Sequence, residues 1–224
     1  MVNIHDLFFA EIDRPDAQID LAKAALHIAQ LEYPDLDIDR YLTELDRMAQ
    51  AVARKLPEMQ YPLKVIHSIN QYLYEDLNFH GNELDYYNPR NSFLNDVIDL
   101  RTGIPITLSL VYLEVAKRIN FPMIGIGMPG HFIIRPNFKD AGIFVDAFDR
   151  GEILFVEDCR QKLIDLHQQD IPFLSPEMLQ PITNRQFLFR MLNNLQLIYL
   201  NQPDFNRALV IKDWIESIIA IDRG

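Results

Sequence analysis

Apolar side chains recur at steps of three and four through most of this chain. Between residues 122 and 156 they fall instead in short runs rich in Ile and Phe, separated by turns. The first spacing predicts helices with one buried face, and the second predicts strands. Ile19, Ala22, Leu26 and Ala29 share a face of a helix over 15–31, with Asp13 placed to cap it and Pro15 suited to its first turn. Ile38, Leu42, Leu45, Ala49, Val52 and Leu56 stripe a second helix, capped by Asp37 or Asp39 and closed by Pro57. A third covers 61–77, with Leu63, Ile66, Ile69, Tyr72 (or Leu73) and Leu77 inward. After a turn-rich loop over 79–91, Asn91 or Ser92 caps a short helix over 93–100, and Gly103 fits its stop.

The helix over 105–119 differs from these. Pro105 suits a first helical position, where its missing N–H has no intrahelical partner to lose. Leu108, Leu110, Val111, Tyr112, Leu113, Val115 and Ala116 leave almost no polar side before Glu114, so the helix is buried all round. Thr107 and Ser109 interrupt it, either bonded back to helix carbonyls or lining a site. Strands follow over 122–128, 131–135, 143–147 and 153–156, with Pro129-Gly130 between the first two. Short turns between successive strands imply an antiparallel sheet with the central helix packed on it, an α+β fold. A helix over 157–167 comes next, then a Pro-punctuated linker over 171–183. Two last helices, 184–200 and 203–221, form a hairpin that must dock on the domain or meet a partner. The expected organisation is a domain over 1–170, with a helical part over 1–80 and a core over 85–160, followed by the linker and a hairpin over 184–224.

Composition narrows the function. The 224 residues carry a net charge of −11, and the 21 Lys and Arg are scattered, so no phosphate-backbone footprint is present and no nucleic-acid partner is expected. No run is long enough to span a membrane, and no basic-apolar leader opens the sequence, so a cytoplasmic location is expected. Cys159 is the only cysteine, which excludes an intrachain disulfide and fits a reducing compartment. No zinc spacing, calcium loop or Gly-rich phosphate loop occurs, so neither metal nor cofactor is expected. His67 and His80 have no second ligand at metal spacing.

A cysteine-nucleophile site needs a thiol at the start of a buried helix, a histidine from an adjacent strand, and a carboxylate that fixes the histidine's tautomer. The helix start at Gly103-Ile104-Pro105, His131 and Asp146 occur in that order. The segments NPRNSFLNDVIDLRTGIPITLSLVYLEVAKRINFP, MPGHFIIR and FVDAFDRG resemble the transglutaminase-like proteins, in particular the bacterial branch of SirB-type regulators. The helical C-terminus is similar to that branch's tetratricopeptide-like tail. The resemblance implies a papain-like core, a buried central helix on a small antiparallel sheet. It places the family histidine at His131 and the family aspartate at Asp146.

Counting back from Phe121-Pro122, the same resemblance places the nucleophile at Pro105, which has none. Thr107 points about 200° away around the helix, and Ser109 lies on the same face a turn deeper. Asn91, Ser92, Thr107 and Ser109 are the candidate cleft residues, and Cys159 reads as a small buried hydrophobe. The expectation is a pseudoenzyme of bacterial type that binds a protein or peptide, with His131 and Asp146 as triad remnants. The alternative is an acyl-transfer or amide-hydrolysing enzyme with another nucleophile, or water.

Overall fold

The computed structural model describes residues 4–59, 61–138, 142–169, 173–202 and 204–223. The expected turn at 137–142, the start of the expected linker and Pro203 therefore lie partly or wholly outside the described residues. Helices α1 (Ile4–Ile12), α2 (Leu21–Ala29), α3 (Ile38–Ala53), α4 (Pro62–Asn70) and α5 (Leu94–Leu100) precede the central α6 (Pro105–Arg118). Strands β3 (Met123–Ile126), β4 (Ile133–Pro136), β5 (Phe144–Asp146) and β6 (Glu152–Leu154) follow, then α7 (Val156–His167), α8 (Asn184–Asn201) and α9 (Phe205–Arg223). A two-residue parallel pair, β1 (His80–Gly81) and β2 (Thr102–Gly103), ties the loop after α4 to the mouth of α6.

The helical stripes fold much as their spacing predicts, with corrections at the ends. The expected helix over 15–31 is a 3-10 turn followed by α2, and Asp20, not Asp13, caps it by accepting the Lys23 N–H at 3.0 Å. Asp37 caps α3, as one of the two expected caps. The expected helix over 61–77 is α4 continued by a π-helical turn over Gln71–Asp76, and Leu63 is exposed where it was expected inward. Neither Asn91 nor Ser92 caps α5. The residue at its cap is Phe93, and the left-handed residue that ends it is Arg101 (φ 60°) rather than Gly103. Helix α1 had no counterpart among the expected elements.

The sheet runs β3-β4-β5-β6, antiparallel throughout, with Ile126 opposite Ile133 and Asp146 opposite Glu152. Its period-two alternation separates two cores. Ile134 and Val145 join the main core, which holds most of the buried residues of α6. Ile133 and Phe144 face a second core with Cys159 and Leu163 of α7. The sheet is thus covered on both faces. Phe187, Leu192, Ile211 and Trp214 of the last two helices belong to the main core, so that helical pair docks on the domain.

Candidate functional site

The site lies where the start of α6, the β3–β4 turn and the end of β5 converge. Asp146 ends β5 and has no exposed surface. Its Oδ2 pairs with His131 Nε2 at 2.6 Å, and its Oδ1 accepts the Phe148 N–H at 3.0 Å. His131 sits in the turn before β4, two residues short of the strand in which it was expected. With Nε2 donating to the carboxylate, the lone pair of the neutral ring is on Nδ1, which has no protein partner among the described residues. Phe148 meets the imidazole edge-on, with ring centroids 6.4 Å apart.

A residue that sequence reasoning passed over completes this cluster. Lys162 of α7 places Nζ 2.9 Å from Asp146 Oδ2 and 2.9 Å from Glu152 Oε2, and it also binds Asp149. Burial alone would raise the Asp146 carboxyl, but the His131 hydrogen bond and the Lys162 ammonium outweigh it and hold the carboxyl below its usual range. Burial opposes the charge of Lys162, yet the three carboxylates raise its pKa above the ordinary lysine value. Asp146, Asp149 and Glu152 bring oxygens within 4.8 Å of one another, but the Lys162 ammonium holds the place a cation would need.

The dyad opens on a cleft with two adjoining lobes that share Tyr86, Pro105, Gly130 and His131. The smaller, about 360 Å³, adds Ile106, Phe132, Arg190, Asn193 and Asn194. The larger, about 680 Å³, adds residues that include Glu83, Phe148, Asp149, Lys162 and Asp165. Pro105 therefore lines the cleft beside His131, at the position the family resemblance assigns to the nucleophile. Among the described residues no Cys, Ser or Thr lines either lobe. Burial and the neighbouring Tyr87 raise the Tyr86 phenol, which keeps it protonated.

The four candidate cleft residues lie behind this wall. Asn91 is buried and bonds the 82–91 loop together, donating to the carbonyls of Asp85 (2.7 Å) and Tyr86 (3.1 Å). Thr107 Oγ1 donates to Asn91 O at 2.7 Å and accepts the Ile104 N–H, which ties that loop to the start of α6. Ser92 and Ser109 are buried, and their hydroxyls have no partner among the described residues. Cys159 is fully buried beneath the sheet, where burial, with Asp158 and Asp146 adding, pushes its thiol up to about 12. His67 and His80 are exposed.

Lys162 lies on a helix whose apolar face alone was legible. Arg190 did leave a signal: it is a lone charge inside Phe187-Leu188-Phe189-Arg190-Met191-Leu192.

Comparison with known proteins shows the family. The model of the transglutaminase-like superfamily matches residues 39–193, more than half of the chain. The chain belongs to the transglutaminase-like superfamily. It is 34% identical to a UPF0162 protein of Xylella fastidiosa (strain 9a5c) over 207 residues, covering 91% of this chain and 73% of the relative. It is also 26% identical to a UPF0162 protein of Vibrio cholerae over 223 residues, covering 99% of this chain and 79% of the relative. F-box only protein 21 of Mus musculus is 34% identical over 172 residues, 73% of this chain but only 26% of that protein. No solved structure matches the chain. Among the described residues no helix is long and apolar enough to cross a membrane.

Proposed function

We propose that this transglutaminase-like chain is non-catalytic and uses the cleft beside His131 to bind a peptide segment of a protein partner. One observation carries the reading: Pro105 occupies the cleft wall where the superfamily's thiol is expected, and no thiol or aliphatic hydroxyl lines the cleft among the described residues. A nucleophilic mechanism needs such a group within hydrogen-bond reach of its base. The cleft is open, which suits a groove kept for binding. A superfamily domain that recurs as one part of the longer F-box only protein 21 accords with a module of this kind. Within the superfamily, the motifs around Pro105, His131 and Asp146 favour the SirB-type branch, with the last two helices as its tetratricopeptide-like hairpin. A regulatory role follows from that placement.

A second reading has its own support. The His131–Asp146 pair at 2.6 Å leaves Nδ1 without a protein partner among the described residues, on a histidine that lines the cleft, which suits a base that activates water on an amide.

The test is a panel of displayed peptides and glutamine-containing substrates offered to the wild type, His131→Ala and Pro105→Cys. The binding reading expects peptides retained by the wild type and weakened in His131→Ala under conditions where circular dichroism shows the variant still folded, with no ammonia or amine released. Turnover by the wild type that His131→Ala abolishes would overturn it in favour of hydrolysis. Pro105→Cys reports on the frame. A thiol there that alkylates rapidly at neutral pH means that helix start and imidazole still stand in nucleophile–base register.

A further inference from the structure

We infer that the smaller lobe of the cleft is a carboxylate-binding subsite, built around the Arg190 guanidinium, for an anionic group on the bound peptide. This rests on the cleft being a binding groove, and it adds the chemistry of one end of the ligand.

The two lobes differ in charge. The larger is lined by Glu83, Asp149 and Asp165, with Lys162 already engaged by three carboxylates. The smaller has no carboxylate on its lining, and Arg190 is its one full cation, in a chain whose net charge is −11. Arg190 is half-buried and forms no ion pair among the described residues. Its Nη2 donates to the carbonyls of Met128 and His131, both at 3.0 Å. Those two bonds fix the fork, and its Cζ lies 5.6 Å from the Phe132 ring centroid. The Nε–H and Nη1–H donors have no protein acceptor among the described residues. A half-buried guanidinium without a counter-ion is costly, and an incoming carboxylate relieves that cost through a charge-assisted bond.

The surroundings are shaped for this. A Cβ at Gly127 would come within 2.6 Å of Arg190 Nη1, so the glycine makes room for the guanidinium beside the β3–β4 turn. Asn193 and Asn194 line the lobe one turn further along α8, and neither carboxamide is bonded to another protein group among the described residues. Ile106 lines it from the start of α6, where its N–H has no intrahelical acceptor and Ile104 offers no side-chain cap. The lobe is thus a ring of donors around one positive charge. A single charge matches a monoanionic carboxylate, whereas a dianionic phosphate would leave a surplus negative charge half out of water. The carboxylate can belong to a chain terminus or to an Asp or Glu side chain.

The experiment is an NMR titration of the full chain with three probes: Ac-Ala-Gly with a free C-terminus, its C-terminal amide, and Ac-Ala-Glu amide. The expected result is that carboxylate probes shift the Arg190 Nε–H and the Ile106 amide, and the neutral amide does not. Arg190→Gln should weaken the preferred acid by about tenfold. Because Arg190 also holds the Met128–His131 turn, Asn194→Leu serves as the second variant, with a loss of about threefold and unchanged backbone shifts at His131. Preference between the two acids identifies which carboxylate is read. Equal binding of acid and amide, or no binding of either acid at concentrations where longer displayed peptides bind, overturns the subsite and leaves the groove standing. Acid binding that peptide length never improves leaves the subsite standing and overturns the groove.

Discussion

His131, Asp146 and Lys162 form a chain of charge that a triad alone does not have. A carboxylate that serves only an imidazole can stabilise the imidazolium fully. Here Asp146 also faces the Lys162 ammonium at 2.9 Å, so its charge is divided. The folded Asp146 carboxyl lies below its ordinary value of 3.8, so the unfolded chain binds the extra proton as pH falls. The stability this contributes is present above that value and is lost as pH falls through the lower folded one. Asp146→Asn should therefore lose about 1–3 kcal/mol at neutral pH and show a flatter loss in acid than the wild type, read from urea midpoints across the pH range. A variant as acid-labile as the wild type would place the titrating group elsewhere. Cys159 should stay unlabelled by a thiol reagent at pH 8 until denaturant is added, because its thiol is raised to about 12 and is fully buried. Rapid labelling of the folded chain would reopen the thiol as a nucleophile.

At the scale of elements, the site depends on how the end of α4 meets the turn after β5. Tyr112 of α6 donates to Asn70 Oδ1 at 3.0 Å, and Asn70 Nδ2 donates to Gly151 O at 2.6 Å. Gly151 N–H in turn donates to Asp146 O at 2.8 Å. Gly151 has φ +76°, and a Cβ there would stand 2.3 Å from Asn70 Oδ1. Gly151→Ala should cost about 2–3 kcal/mol in chemical denaturation, through left-handed strain and displacement of Asn70. A neutral result would mean that the turn can shift without cost. The Asp149–Gly151 turn was legible because Gly is favoured at positive φ. Its Asn70 partner was not, because the two lie 81 residues apart and share no local pattern.

For the whole molecule, the decisive contact is the docking of α8 and α9. Thr183 Oγ1 accepts the Gln186 N–H at 3.1 Å, a local cap written into the sequence. Asp16 supplies the rest from far upstream, accepting the N–H groups of Asn184 and Arg185, each at 3.0 Å. Asp16→Ala should lower stability by about 1–2 kcal/mol and speed hydrogen exchange along α8. Unchanged exchange there would show that burial of Phe187, Leu192 and Trp214 holds the pair unaided. This docking also carries Arg190, Asn193 and Asn194 to the cleft, so the helices expected as a separate hairpin supply part of its wall.

By itself the sequence determined what local spacing controls: the helical stripes, the four antiparallel strands, the all-round burial of α6, and the order of helix start, histidine and aspartate. Each follows from a side-chain period of 3.6 or 2, or from a residue's own backbone preference. Only the tertiary structure decided which charges gather around His131 and Asp146. Lys162 and Arg190 reach the site from helices far along the chain, and no periodicity encodes which distant charge a buried carboxylate or an open lobe will meet. Pro105 belongs to both levels. Its place at the first turn of α6 was local, and its place in an open cleft beside a paired histidine was settled by packing.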